Sequence, residues 1–253
     1  MKETDTAVSA STNSDLEVIE TQPPDIDSKL LRHDLLAPLR AIDALSDFAS
    51  EDLRAGNEEE ARCHIERIHE SVATARAIVK GMGRYEKASQ CQAVESTDVS
   101  RLIHSVISEF ETPDDLTVVV DTNKIDGHRG YYLQRRALSV CLREIVQNAI
   151  IHRVREKGAV VVCGSIVDDD LHIRVKDDGA GINPEYWQVV FEPLRKIQHG
   201  KARGVGLGLS IATRSARRHG GSVTIEESSP SGSELLIVWP TQTPRRRDYR
   251  ECE

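Results

Sequence analysis

The 253-residue sequence predicts an α+β protein in which a helical hairpin precedes an α/β sandwich. Residues 28–89 repeat apolar side chains at intervals of three and four and contain one proline, Pro38, which is the pattern of two long helices. From about residue 96 onward, helical patterns alternate with short runs rich in valine and isoleucine. Such a mixture predicts one mixed sheet with helices on one face.

Composition excludes several classes of protein. The net charge is −8, so a nucleic-acid surface is not expected. No apolar run approaches the roughly 18 residues of a membrane helix, so we expect no membrane insertion. The five cysteines show no paired metal-type spacing, which favours free thiols in a reducing cytoplasm.

The two ends of the chain differ from its middle. Residues 1–27 are polar, acidic and contain Pro-Pro, and residues 241–253 are rich in charge. Both segments are therefore predicted to be disordered. The folded parts are expected at 28–89 and 96–240.

The hairpin is predicted from two apolar stripes that are interrupted at Gly56-Asn57. A hairpin supplies only half the core of a four-helix bundle, so its apolar stripe needs a cover. A second copy of the chain would complete a dimeric bundle through residues 28–89. The alternative is a cover from elsewhere in the same chain.

The second part is predicted to begin with a helix over 98–110, capped by Asp98. A strand at 116–121 and a helix over 131–153 follow. Strands at 158–167 and 170–178 flank an aspartate-rich turn. A helix over 207–220 then leads into two strands, at 221–228 and 233–239.

The predicted helix 131–153 carries an unusual polar stripe. Glu144, Asn148 and His152 are spaced by four residues, so they share one side of the helix. For an isolated helix, a solvated face would explain this stripe. The glycine-rich segments that follow give it another meaning.

Two glycine-containing segments follow this helix. "DDGAGI", 177–182, comes directly after a strand and suggests a backbone that passes close to a ligand, although a plain turn has the same residues. "RGVGLGLS", 203–210, opens a helix, where free backbone NH groups favour phosphate. The basic segment before it has the character of a phosphate-covering lid or a surface loop.

Together with "FEPL" at 191–194, these segments resemble the N, G1, F and G2 boxes of the Bergerat-type ATP-binding fold. That family includes histidine kinases, type II topoisomerases, MutL-like repair ATPases and heat-shock chaperone ATPases. The resemblance implies binding of ATP and Mg²⁺, with Asn148 as a metal ligand and Asp177 as acceptor for the adenine amino group. It implies a close approach to the base by Gly179 and Gly181. It implies a phosphate cradle of Gly204, Gly206, Leu207 and Gly208. The other positions expected to contact the nucleotide are Glu144, His152, Arg153, Ile182, Phe191, Arg203 and Val205.

The hairpin sequence "LLRHDLLAPLRAI", 30–42, resembles the H box of histidine kinases. With Leu31 and Leu35 in the core, His33 falls on the outward side, where a phosphoacceptor must stand. Asp34 would hydrogen-bond one ring nitrogen and leave the other as the nucleophile. The resemblance implies a kinase that autophosphorylates His33 and passes the phosphoryl group to a response regulator receiver domain. The 27 residues before the hairpin are too few for a sensor domain, so we expect either a separate sensor or signalling partner or a larger system of which this chain is one part.

Three positions depart from the histidine kinase pattern. Glu144 stands where many of these kinases have asparagine, and Ile151 stands where a basic residue often occurs, with Arg153 as a possible substitute. Ala37 occupies the position four residues after the acceptor, where related enzymes with phosphatase activity tend to have threonine or asparagine. Two alternatives stay open: an anti-sigma-type serine kinase or partner-switching module, and a phosphotransfer protein with an ATP-incompetent domain.

Overall fold

The computed structural model describes residues 28–111, 113–126, 130–152, 158–196 and 204–242. The hairpin consists of α1 (Ser28–Ala55) and α2 (Glu58–Lys87). Gly56, with φ of +82°, and Asn57 connect them, as the interruption of the apolar stripes predicts. A left-handed backbone at Gly56 ends α1 at low cost because glycine has no Cβ.

The hairpin buries only part of its apolar surface. Leu45, Ala49, Ala61 and Ile78 are buried. Several larger apolar side chains remain exposed along both helices, namely Leu36, Leu39, Phe48, Leu53, Ile65 and Val79. These six residues form the set that we call the hairpin apolar surface.

The remainder of the chain builds a mixed sheet. Its elements are β1 (Glu95–Thr97), α3 (Val99–Ile107), β2 (Leu116–Lys124), β3 (Tyr131–Leu133), α4 (Arg135–Ile151), β4 (Gly158–Val167), β5 (Asp170–Asp177), α5 (Gly208–Arg218), β6 (Ser222–Ser229) and β7 (Gly232–Pro240). The sheet order is β2-β4-β5-β7-β6. Strands β2 and β4 are parallel and the other neighbours are antiparallel. The predicted α+β class and its order of parts are confirmed.

The predicted helix 131–153 is wrong at its beginning. Residues Tyr131–Leu133 form β3, which pairs antiparallel with β1, and α4 begins at Arg135. Tyr131 and Leu133 are buried while Tyr132 is exposed, which is the alternation of a strand. The strand β1 has three polar residues and gives no recognisable strand pattern, so the sequence predicts helix for its partner as well.

The core lies between the inner face of the sheet and helices α3, α4 and α5. The apolar side of α4 is buried, with Leu138, Leu142 and Ile145 at 1% exposure or less. Alternate residues of the central strands, such as Ile173 and Ile237, pack against it. The polar stripe of α4 therefore lies off the core, toward the end of β5.

Two findings bear on the expectations from composition. No helix among the described residues combines the length and apolar character that crossing a bilayer requires. Cys63, Cys141 and Cys163 are free thiols. Cys91, however, takes part in a disulfide, so the expectation of free thiols is wrong at that position.

Candidate functional site

A cavity of about 960 Å³ lies between α2, α4 and the glycine-rich start of α5. Its volume falls within the range of small-molecule sites. The residues predicted for nucleotide binding that line it are Glu144, Asn148, His152, Asp177, Gly181, Ile182, Gly204, Val205, Gly206, Leu207 and Gly208. Segments that are far apart in sequence thus meet in one place.

The polar stripe of α4 faces this cavity. Glu144 is 4% exposed and its Oε1 accepts a hydrogen bond from Arg84 Nη1 at 2.6 Å. Burial raises the pKa of the Glu144 carboxyl, and the positive charges of Arg84 and Arg143 oppose that rise. All three residues of the stripe line the site, where Glu144 is buried, Asn148 is partly buried and His152 is exposed.

The loop after β5 places a carboxylate at one end of the cavity. Asp177 Oδ1 accepts a hydrogen bond from the backbone N–H of Gly179 at 2.8 Å. Burial raises the pKa of Asp177, while hydrogen bonds from the backbone of Gly179 and Ser233 lower it. Burial lowers the pKa of His152, and the nearby Asp177 carboxylate opposes that shift. His152 and Asp177 are therefore close enough for their charges to interact.

Gly181 permits the close backbone packing that shapes this end. Its φ is +71°, and a Cβ there would collide with the carbonyl oxygen of Ser229. Any other residue would push the loop off the β6–β7 turn. The sequence predicts a backbone that passes close to a ligand here, whereas the close approach that the structure shows is to the backbone of Ser229 in the same chain.

The glycine-rich segment forms the opposite end of the cavity. Gly206 has φ of +71°, and its carbonyl accepts a hydrogen bond from the N–H of Leu194 at 2.7 Å. A Cβ on Gly206 would lie 2.6 Å from the carbonyl oxygen of Arg195. The "FEPL" segment and the glycine-rich segment are thus held together. Gly208 begins α5, so the N-terminus of that helix is presented to the cavity.

Several predicted site residues lie elsewhere. Phe191 does not line the cavity and packs against the core. Gly179 supports Asp177 through its backbone N–H without lining the cavity itself. Arg153 and Arg203 lie outside the described residues.

His33 and Asp34 lie on the first turns of α1 and do not line the cavity. The His33 side chain is 70% exposed, and its Nδ1 lies 3.0 Å from Asp34 Oδ1. Leu31, two residues earlier, packs with the cluster of Tyr85, Leu207 and Ile211. The beginning of α1 therefore contacts the domain that contains the cavity.

Sequence reasoning missed the contribution of α2 to the cavity. The side chains of Lys80, Arg84 and Lys87 line it, as do Arg195 and Lys196 from the segment before the glycine-rich one. The available signal was the spacing of Lys80, Arg84 and Lys87 by four and three residues, which places them on one side of α2. Nothing in the sequence says which domain that side faces.

Comparison with known proteins agrees with this geometry. Residues 134–243 match the family described as histidine kinase-, DNA gyrase B-, and HSP90-like ATPase. The chain is 27% identical over 221 residues to the signal transduction histidine-protein kinase AfsQ2 of Streptomyces coelicolor, covering 83% of this chain and 40% of that protein. It is 25% identical over 215 residues to the sensor protein QseC of Salmonella typhimurium, covering 82% of this chain and 45% of QseC. The chain spans less than half the length of these curated relatives.

Solved structures agree on the fold. The histidine kinase ThkA, in a complex with the response regulator protein TrrA, has a TM-score of 0.62 at 19% identity and covers 85% of this chain and 61% of its own. The Acinetobacter baumannii histidine kinase AdeS has a TM-score of 0.57 at 17% identity and covers 83% of this chain and 98% of its own. The resemblance predicted from the four boxes and the hairpin is confirmed. Residues 134–243 thus match the histidine kinase-, DNA gyrase B-, and HSP90-like ATPase family, and the hairpin and this domain together share the fold of these two solved histidine kinase structures.

Proposed function

We propose that the chain is a protein-histidine kinase, which uses ATP to phosphorylate His33 and passes the phosphoryl group to an aspartate of a response regulator. The observation that carries this proposal is the cavity in which Asn148, Asp177 and the start of α5 meet. The relatives named as histidine kinases, and the complex of ThkA with a response regulator, support the same function. The proposal includes a cytoplasmic location, where ATP is available.

The two ends of the cavity suit the two ends of ATP. The Asp177 carboxylate can accept a hydrogen bond from the adenine amino group. The backbone N–H groups around Gly206 and Gly208, with the positive end of α5, suit the phosphates. Arg195 and Lys196 add positive charge beside that end.

The side chains present are consistent with Mg²⁺ held mainly by the nucleotide. The described residues contain no group of three or more His, Cys, Asp or Glu side chains placed to hold a metal ion. Asn148 lines the cavity one helical turn from Glu144 and offers one oxygen ligand, and Mg²⁺ commonly takes its other oxygens from phosphates and water. When bound, Mg²⁺ neutralises charge on the phosphates during transfer.

His33 supplies the nucleophile in this proposal. Because the Asp34 carboxylate can only accept, Nδ1 carries the ring proton and Nε2 keeps a lone pair. Nε2 attacks the γ-phosphorus of ATP, the bond from that phosphorus to the bridging oxygen breaks, and ADP leaves with the bonding electrons. The Asp34 carboxylate stabilises the positive charge that develops on the ring.

His33 does not line the cavity of its own chain in this structure. Phosphoryl transfer therefore requires either a rotation of the hairpin relative to the cavity or transfer to the partner subunit of a dimer. Positioning is the main requirement, because phosphoryl transfer needs little covalent assistance from the protein.

The proposal includes a homodimer formed through residues 28–89. The hairpin apolar surface supports it, because Phe48, Leu53 and Val79 are each more than half exposed in the single chain. Packing a second hairpin against this surface would complete a four-helix bundle.

Incubation with γ-labelled ATP tests the proposed function. Phosphohistidine is lost in acid and survives base, whereas phosphoserine survives acid. We expect acid-labile label on the chain and its transfer to a receiver domain. Acid-stable label would favour the serine kinase, which the Glu144 departure suggests, and no label would favour a phosphotransfer protein.

A further inference from the structure

The last three turns of α2 form one wall of the cavity and are fixed to the start of α5. Gly81 allows a close approach, because a Cβ at this position would lie 2.6 Å from Leu207 Cδ1. The Arg214 guanidinium lies 4.4 Å from the centre of the Tyr85 ring, and its Nη1 donates to the Tyr85 hydroxyl at 3.1 Å. Tyr85 is 3% exposed. The side chains on this wall are therefore held against the glycine-rich segment.

The wall carries a row of positive charge. Lys80, Arg84 and Lys87 all line the cavity, and their spacing by four and three residues keeps them on one side of α2. Cations that face the N-terminus of a helix suit an anionic ligand with several charges. The phosphates of a nucleotide have this character.

Arg84 forms an ion pair with a described residue, Glu144. Its Nη1 lies 2.6 Å from Glu144 Oε1, and its side chain remains 46% exposed. The other carboxylate oxygen of Glu144 lies 3.4 Å from the position that a Cβ would take on Gly208, the first residue of α5. The Glu144 carboxylate thus stands beside the helix N-terminus, where an anion is favoured.

We infer that Arg84 is a phosphate-binding residue, supplied to the nucleotide by the hairpin, and that the Glu144 carboxylate holds its guanidinium ready until nucleotide binds. The inference rests on the proposed function, since it takes ATP as the ligand of the cavity. A phosphate oxygen replaces the carboxylate oxygen as the acceptor, and no covalent bond changes. The planar guanidinium suits both anions.

This arrangement makes nucleotide binding depend on the docking of α2. The predicted phosphate cradle of the glycine-rich segment, and Arg195 and Lys196 beside it, belong to the matched ATPase domain. Arg84 comes from outside that domain. Movement of the hairpin would remove this cation from the phosphates, so the position of the hairpin and the affinity for nucleotide are linked.

Calorimetric titration of the full chain with ATP and ADP, and NMR titration with adenosine, test the inference. We expect Arg84→Gln to weaken binding of ATP and ADP by about tenfold or more and to leave adenosine binding unchanged. Arg84→Lys should weaken ATP and ADP binding less than Arg84→Gln does, because lysine keeps the positive charge. Arg76→Gln is the matched control, since Arg76 is an exposed arginine of the same helix that does not line the cavity. It should leave all three ligands unaffected.

Glu144→Gln gives a second measurement. Removing the competing carboxylate should strengthen ATP binding, and the gain should shrink when Arg84→Gln is also present. Weaker ATP binding in Glu144→Gln, or an equal gain in both backgrounds, would overturn the exchange of partners.

The outcomes distinguish the inference from the proposed function. If the unmodified chain binds no ATP, the proposed function is wrong, and the inference that rests on it is wrong as well. If it binds ATP and Arg84→Gln binds equally well, only the inference fails. Tighter binding by Arg84→Gln would instead identify the ion pair as an autoinhibitory contact. Equal losses for ATP and adenosine would assign Arg84 to the shape of the cavity alone, and both results overturn the inference.

Discussion

His33 and Asp34 form a hydrogen-bonded pair, with Nδ1 of the imidazole 3.0 Å from Oδ1 of the carboxylate. The imidazole is 70% exposed and the carboxylate 23% exposed. The pair orients the ring so that Nε2 is the nitrogen left for reaction. An imidazole this exposed contributes little to the packing of the helix, and this observation supports the role of His33 as the phosphoacceptor.

We expect His33→Gln to abolish acid-labile labelling from ATP and to leave nucleotide affinity unchanged. The glutamine amide has no nucleophilic nitrogen comparable to the imidazole lone pair, and His33 does not line the cavity. Labelling and calorimetry on the same preparation measure both effects. Acid-labile label that persists in this variant would move the acceptor to another histidine.

We expect Asp177→Asn and Asn148→Ala to lower nucleotide affinity in different ways. A hydrogen bond to a charged group contributes about 1.5–3 kcal/mol, or roughly 10- to 150-fold in affinity, so Asp177→Asn should weaken ADP by this factor even without metal. Asn148→Ala should weaken only the Mg²⁺-dependent part of binding. Calorimetry with and without Mg²⁺ separates the two. An unchanged affinity in Asp177→Asn would contradict the placement of the adenine.

Local patterns predicted much of the fold. The spacing of apolar residues predicts α1 and α2 and their connection at Gly56, and Asp98 caps α3 by accepting from the Arg101 backbone N–H at 2.9 Å. The β1–β3 pair was missed because each strand has three residues. So few residues carry too little periodicity to outweigh the helical pattern that follows.

The residues that line the cavity could be predicted from the sequence only within the second folded part of the chain, residues 96–240. Glu144, Asn148 and Asp177 belong to recognisable segments, and the structure brings them together. Arg84 and Lys80 were not foreseen, because their role depends on how the hairpin packs on α5. That packing is a tertiary contact between surfaces that carry no motif.

We expect the double variant Phe48→Glu, Ile65→Glu to be monomeric. The two residues are 52% and 42% exposed in the single chain, so in a dimer each chain would bury two unpaired charges at large cost. Light scattering measures the change. Asp47→Asn, a change of charge at a neighbouring exposed position, should leave the dimer intact. A dimer that survives the double variant would place the interface elsewhere.

We expect nucleotide affinity to decrease as the pH is lowered. The decrease should begin at a higher pH than it would for an aspartate with its ordinary pKa. Burial raises the pKa of Asp177, and its ionised form is the better acceptor for the adenine amino group. Affinity is therefore lost as pH falls through this raised pKa. The stability of the nucleotide-free fold should respond in the opposite direction, since a raised carboxyl pKa favours folding at low pH and loses that contribution as pH rises through it.

Asp177→Asn is the reference for this pH dependence, because the phosphates of ADP titrate equally in both proteins. Calorimetry with ADP across the acidic pH range gives the difference in affinity between the unmodified chain and Asp177→Asn. Thermal unfolding across the same range gives the difference in stability. The difference in affinity should narrow at low pH. A difference that does not change with pH would show that Asp177 does not titrate in the accessible range.

We expect the unphosphorylated chain to be a poor phosphatase toward its response regulator. Hydrolysis of an aspartyl phosphate needs a water molecule held in line with the bond that breaks. A side chain four residues after the acceptor shares its side of α1, and this position is Ala37, which is exposed and has no group that could hold water.

The measurement is the lifetime of the phosphorylated regulator with and without the chain plus ADP. His33→Gln must be measured in parallel, because return of the phosphoryl group to His33 would also shorten the lifetime. Ala37→Thr should shorten the lifetime if the missing hydroxyl is the cause. A many-fold shortening by both the unmodified chain and His33→Gln would show that another group, such as Asp34 or Arg40, orients the water.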